Sequence, residues 1–257
     1  MSGIRLERIS RRFGGVRAVD GVSATFAPGK VTALIGPNAA GKTTLFHIVC
    51  GTVPPDTGEV YVDDRRVDGL PAWEIANLGV GRLFQDVRCF PRLAALENVM
   101  TGSRRQLGEN PLAALVLCRA VSRAEKTNRE KSLRHLGFVG LADKALALAQ
   151  DLSYGEQKLV AIARMLAGES TSLLLDEPTA GVHVDMAHRI MRLLRELAAT
   201  GRTVVVIEHN IEAVLQYSDW VYLMDRGRIV SFGLPQEIIE SREMGEAFFL
   251  KGSVAEA

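Results

Sequence analysis

No stretch of this 257-residue chain is apolar for long enough to cross a bilayer. Its longest apolar runs, such as 112–118, fall well short of the roughly 20 residues a spanning helix needs, and no charged-then-apolar leader follows Met1. The chain therefore reads as cytosolic, reaching a membrane only through a partner. Cysteine is scarce as well. Cys50, Cys89 and Cys118 show no pairing in their spacing and sit in apolar company, which excludes a disulfide framework and predicts core thiols in a reducing compartment. Neither sign of charge dominates, because 31 basic residues face 30 acidic ones. With no net field to draw a polyanion, nucleic acid is not an expected ligand. Long-period repeats are missing too, which leaves one large core with room for an inserted subdomain.

What is present begins with Gly36-Pro37-Asn38-Ala39-Ala40-Gly41-Lys42-Thr43, a complete Gly-x-x-x-x-Gly-Lys-Thr phosphate loop. Its flanks agree with it. The run 30–35 before the loop suits a buried strand, and Thr44 and the apolar residues after it suit the first turns of a helix. In this arrangement the backbone N–H groups and the positive end of the helix converge on a β-phosphate. Lys42 reaches the β/γ oxygens and the Thr43 hydroxyl ligates Mg²⁺. The loop implies a nucleoside triphosphate, without saying what the triphosphate is for.

A second apolar strand, Ser172-Leu173-Leu174-Leu175-Asp176, ends in the pair Asp176-Glu177. A strand of the same parallel sheet delivers Asp176 to the phosphate-loop end, where it can hold the metal shell. Glu177 faces the other way if strand alternation continues, which suits it to orient or deprotonate water. Between the two motifs, Leu152-Ser153-Tyr154-Gly155-Glu156-Gln157 is a polar turn opening an amphipathic helix, a further N-terminus able to hold an anion or merely to cap itself. The strand 203–208 then runs into His209. The order is phosphate loop, Gln85, Leu-Ser-x-Gly, Asp-Glu-Pro, then the strand-end histidine.

In that order the chain resembles the ATPase domain of ABC transporters over nearly its whole length. The resemblance implies an α/β P-loop NTPase fold with a parallel sheet core, an N-terminal antiparallel β layer and an inserted helical subdomain. It implies ATP and Mg²⁺ as ligands. Phe13 matches the aromatic that stacks on adenine, Gln85 the glutamine that touches Mg²⁺ and the attacking water, and His209 the histidine at the γ-phosphate. Ser153 and Gly155 match the signature that closes over the ATP of a second subunit, so the family's head-to-tail dimer, of like or related chains, is expected. Three positions depart from the usual pattern: Ala39 for glycine, Glu156 for glutamine, and His183 for aspartate or asparagine. Ala39 is harmless at negative φ. His183 removes a carboxylate that helps the two ATP sites communicate.

The expected layout has an ATP-binding core over residues 1–86 and 160–233, a helical signature subdomain over 87–159, and a C-terminal helical tail over 234–257. Only one phosphate loop is present, which excludes tandem ABC translation factors, and no long coiled-coil insertion is present, which excludes the chromosome-associated members. No Asn-Lys-x-Asp guanine-reading motif is found. Local wording around Phe84-Gln85-Asp86, Leu96-Glu97-Asn98-Val99 and Ile207-Glu208-His209 resembles the ATPases of branched-chain amino-acid importers. The lipopolysaccharide-export ATPase is a near cousin, and a soluble single-domain ATPase of iron–sulfur assembly is the non-transport alternative. The importer reading implies permease partners and a peripheral place at the inner face of the cell membrane.

Overall fold

Three buried apolar side chains on one face, Ile4, Leu6 and Ile9, define the first strand, β1 (Ile4–Phe13), yet their spacing breaks strict alternation. A bulge repairs it. Arg8 takes φ 50 and the register with the next strand shifts between Leu6 and Ile9, so the third apolar side chain returns to the core face. The computed structural model describes residues 3–104 and 118–248. Two compact units divide the chain.

The first unit runs up to Arg82, through Thr171–Ala180, and from His188 on. In it β1 pairs antiparallel with β2 (Val16–Phe26) and with β4 (Thr57–Val62), and β5 (Arg65–Arg66) closes a four-stranded sheet of order β2-β1-β4-β5. A six-stranded sheet has the order β10-β9-β3-β8-β7-β6. Its centre is parallel: β3 (Val31–Ile35) lies between β8 (Thr203–Ile207) and β9 (Trp220–Asp225), and β7 (Ser172–Asp176) lies beside β8. Strands β3, β7 and β8 are buried at every residue, which is why they read as continuous apolar runs rather than alternating ones. β6 (Val80–Leu83) forms one edge, and β10 (Arg228–Gly233) forms the other, antiparallel to β9. Phe26 of the antiparallel sheet, Phe46 of helix α1 (Lys42–Val49), and Leu34, Val205 and Met224 of the six-stranded sheet share one core.

The second unit comprises Leu83–Ser170 and Gly181–Ala187. Helices α3 (Ala95–Met100), α4 (Cys118–Phe138) and α5 (Tyr154–Ala167) pack on one another here, following the short α2 (Ala72–Asn77) of the first unit. α5 continues unbroken through position 160, where the sequence reading resumes the ATP-binding core, because Leu159–Ala163 form one buried surface. Asn98 explains the loop before α3. Fully buried, it accepts the Phe90 N–H at 2.7 Å and gives its amide to the carbonyls of Phe90, Leu93 and Ala94 at 3.1–3.2 Å.

Helical spacing predicts a core stripe of Met186, Ile190, Leu193, Leu194 and Leu197; helix α6 (Val184–Ala199) buries the last four together with Met191 and leaves Met186 half-buried. Beyond α7 (Ile211–Tyr217), the short helices α8 (Pro235–Ile239) and α9 (Arg242–Phe248) bury Ile238, Met244 and Ala247, and the expected contributions of Phe249 and Leu250 lie outside the described residues. Cys50 and Cys89 are free thiols that are partly rather than fully covered, and burial pushes the Cys50 thiol up to about 11. Among the described residues no helix is long and apolar enough to cross a membrane.

Candidate nucleotide site

The loop between β3 and α1 can turn so tightly because two of its residues have no side chain. At Gly36 (φ 149) a Cβ would stand 2.0 Å from the Met224 carbonyl oxygen, and at Gly41 (φ 100) 2.1 Å from that of Ala18. Ala39 differs from its expectation. Its φ is 62, not negative, so a methyl group sits in the left-handed region at a cost of about 1–2 kcal/mol. The wrapping of the loop demands that conformation, whatever residue occupies it. Ala39→Gly is therefore expected to stabilise the fold by about 0.5–1 kcal/mol once the greater freedom of glycine in the unfolded chain is subtracted. A thermal melt reads this as a rise of about 1–4 °C for a chain of this size, and an unchanged or lowered midpoint would show that the loop carries no such strain.

Lys42 folds back over the loop. Only 6% exposed, it donates from Nζ to the carbonyls of Gly36 at 2.7 Å and Pro37 at 2.9 Å. Burial lowers its proton affinity, and the carboxylates of Glu177 and Asp176 partly restore it. Those carboxylates come from the end of β7, which β8 separates from β3 in the sheet. β7 is in register with β8 up to Asp176 beside Ile207, and the Glu177 N–H extends the ladder to the Ile207 carbonyl at 3.0 Å. Glu177 is not part of the pleat, contrary to the alternation argument. At φ 50 it begins a left-handed turn, and that turn aims its side chain. Its Oε1 lies 3.0 Å from His209 Nε2, and since an ionised carboxylate only accepts, Nε2 is assigned the proton. Glu208, to which the sequence assigned no role of its own, locks the turn: its buried Oε1 accepts from the Thr179 N–H at 3.1 Å and the Thr179 hydroxyl at 2.8 Å. The only sequence signal for it was a carboxylate closing an otherwise apolar strand.

Asn38, Ala39, Ala40, Gly41, Lys42, Thr43 and Thr44 line a cavity of about 530 Å³ together with Glu177 and His209. Val16, Arg17, Ala18 and Arg226 also line it. The turn bearing Arg226 is clipped to the loop, because Gly227 donates to the Ala40 carbonyl at 2.9 Å and accepts from the Asp20 N–H at 2.8 Å. Phe13 is not in this lining. Its ring is 46% exposed at the end of β1, with the Arg11 guanidinium 5.0 Å from its centroid. The cavity suits a triphosphate by its helix N-terminus, its buried cation and its size. Thr43 and Asp176 offer hard oxygen donors, and no cluster of three or more His, Cys, Asp or Glu side chains exists among the described residues. That donor set fits Mg²⁺ held jointly with phosphates and water rather than in a protein cage.

The sequence pattern of the ABC transporter family matches residues 19–180. The chain belongs to this family. Relatives agree with that membership along nearly the whole length. The high-affinity branched-chain amino acid transport ATP-binding protein LivG of Salmonella typhimurium is 34% identical over 238 residues, which cover 92% of this chain and 93% of LivG. The lipopolysaccharide export system ATP-binding protein LptB of Escherichia coli is 31% identical over 249 residues, 96% of this chain and 97% of LptB. Among solved structures, a nucleotide-free ATP-binding cassette from an ABC transporter superposes with a TM-score of 0.84 at 33% identity, covering 96% of this chain and 99% of that one. As an ABC ATPase the chain is an ATP-binding subunit, and ATP hydrolysis is what the family implies.

The remaining ABC motif residues lie in the second unit. Ser153 caps α5 in a reciprocal box: its N–H and hydroxyl donate to Glu156 Oε2 at 2.9 and 3.0 Å, and its Oγ accepts the Glu156 N–H at 3.3 Å. Lys144 holds the other Glu156 oxygen at 2.5 Å, and its hydrogen bond keeps that carboxyl below the usual range. The Tyr154 hydroxyl donates to the Gln85 backbone carbonyl at 3.2 Å, tying two motifs of this unit together. Gly155 has no room for a side chain, since a Cβ would meet Met186 at 2.6 Å. His183 is 81% exposed, and Asp185 Oδ2 lies 3.4 Å from its Nδ1.

Proposed function

We propose that this chain hydrolyses ATP as one of two cassettes that power the import of branched-chain or related amino acids through permease subunits. The Glu177–His209 pair, lining one cavity with the phosphate loop, is the observation that carries the hydrolytic half of this reading. Gly36, Pro37, Asn38, Ala39, Ala40 and Gly41 shape the phosphate cradle, Lys42 meets the β/γ charge, and the N–H groups of Thr43 and Thr44 face the same oxygens. Thr43 Oγ1 and Asp176 would hold Mg²⁺, which when bound would supply positive charge to offset that developing on the phosphates. Glu177 takes the proton of the attacking water, and His209 orients that carboxylate and meets the γ-phosphate. Phe13 stacks on adenine. Ser153 and Gly155 complete the ATP site of the second subunit.

The cargo is supported by the relative that LivG provides, and the lipopolysaccharide exporter is the second reading because LptB is nearly as similar. The stretch 103–123, whose length favours the importer, lies largely outside the described residues. Purification from membranes with attached subunits tests the reading. Two permeases and a second, different cassette would support the importer, whereas soluble partners alone would exclude it.

Docking to a permease has its own test. Phe90 is 52% exposed on the loop that Asn98 pins, and Phe84 is 39% exposed with the Arg88 guanidinium 5.3 Å from its ring centroid. Exposed aromatics on a braced loop fit a partner's anchor pocket. Phe90→Ala is expected to reduce recovery on permease-containing membranes by about 10-fold or more while basal ATPase holds, the scale of an anchor residue. Equal loss of both would make Phe90 a structural residue. Asn98→Ala is the control that lowers stability as well, because it strips four buried hydrogen bonds.

A further inference from the structure

Arg82 is a buried charge that neither the motifs nor the reaction accounts for. It lies on β6, next to β7 in the sheet, with its side chain 6% exposed and Nη2 3.1 Å from Oδ2 of Asp176, itself 4% exposed. Its guanidinium carbon stands 5.9 Å from the ring centroid of Phe46 on α1, the helix that starts with Lys42 and Thr43. Three elements thus meet at one cation: an edge strand, the strand that ends in Asp176, and the phosphate-loop helix.

We propose that Arg82 is the positioning residue for the metal shell, holding the Asp176 carboxylate in one rotamer by its contact at Oδ2 so that Oδ1 is left for the Mg²⁺ of bound MgATP. The inference rests on the MgATP reading of the cavity. A carboxylate turns freely about its bond to Cβ, and a single charged donor on Oδ2 removes that freedom. Without Arg82 the Asp176 carboxylate is free to turn toward Lys42, whose ammonium already feels its charge. Space alone does not call for an arginine here. A buried ion pair replaced as a whole by apolar side chains of similar volume is often no less stable, so the retained pair points to a need for the carboxylate, with Arg82 as its partner.

The test uses the full chain with Arg82→Met and Arg82→Lys, and Mn²⁺ as a paramagnetic probe of the protein–ATP complex. Binding of a fluorescent ATP analogue in EDTA is expected to match wild type in both variants. Mn²⁺ titrated by electron paramagnetic resonance is expected to bind the Arg82→Met complex about 10-fold or more weakly, the scale on which residues behind metal ligands act, with partial recovery in Arg82→Lys. In an Asp176→Asn background, Arg82→Met should change Mn²⁺ affinity no further. A folded Arg82→Met with wild-type Mn²⁺ affinity overturns the proposal, and so does an additive loss in the double variant. Should Arg82→Met fail to fold, Arg82→Lys with unaltered affinity overturns it equally. Failure of the wild type to bind the ATP analogue would instead overturn the reading of the cavity.

Discussion

Glu177→Gln is expected to bind ATP normally and to lose turnover by about 10²–10⁴-fold, the contribution of a positioned general base. The amide keeps the size of the side chain and can still meet His209 Nε2 through its carbonyl oxygen, so the cavity holds its shape. What disappears is the group that accepts a proton from water. Blocked hydrolysis should also trap the ATP-bound pair of cassettes. Size-exclusion chromatography with ATP and Mg²⁺ is expected to show a dimer for the variant, and steady-state phosphate release gives the rate. An active, monomeric Glu177→Gln would remove the carboxylate from the chemistry and leave the 3.0 Å contact as a structural brace.

Lys42→Ala is expected to weaken ATP binding by about 10–100-fold, which is the 1.5–3 kcal/mol of a hydrogen bond to a charged group expressed as affinity. The side chain is 6% exposed, so little water is present to replace its charge. Its removal also leaves Glu177 and Asp176 facing an anionic ligand without the cation between them. Lys42→Met separates the two effects, because it keeps the stem and deletes only the charge. Titration with a fluorescent ATP analogue measures both variants, and wild-type affinity in Lys42→Met would show that the backbone cradle alone binds the phosphates.

Both predictions concern residues whose identity and spacing were legible in the chain. An eight-residue loop pattern between an apolar strand and a helix is local, and a strand that is apolar until it ends in two carboxylates announces a buried parallel strand with polar work at its tip. The same holds for α6, where helical spacing predicts the buried Ile190, Leu193, Leu194 and Leu197 though not the half-buried Met186, and for the β layer, where even the slip from Leu6 to Ile9 follows once a bulge at Arg8 is allowed. Direction was harder. Strand alternation placed Glu177 by the wrong rule, since a left-handed residue ends the pleat and nothing in the residue type Glu announces φ 50. Ala39 misled in the same way, because φ is imposed by the closure of the loop and not by the methyl group it carries.

The residues that brace the site were beyond the reach of sequence for a single reason, which is distance along the chain. Arg82 and Asp176 are 94 residues apart, Thr179 and Glu208 29 apart, and Gly227 meets Ala40 across most of the sequence. The sequence by itself determined the family, the phosphate loop, the acidic strand end and the alternation of sheet and helix, since each is written in contiguous or periodic residues. Which carboxylate oxygen is held, which turn is locked and which arginine reaches Asp176 were decided only when the sheet set distant residues side by side. A buried polar group must find a partner wherever the fold supplies one, and local pattern does not say where that will be.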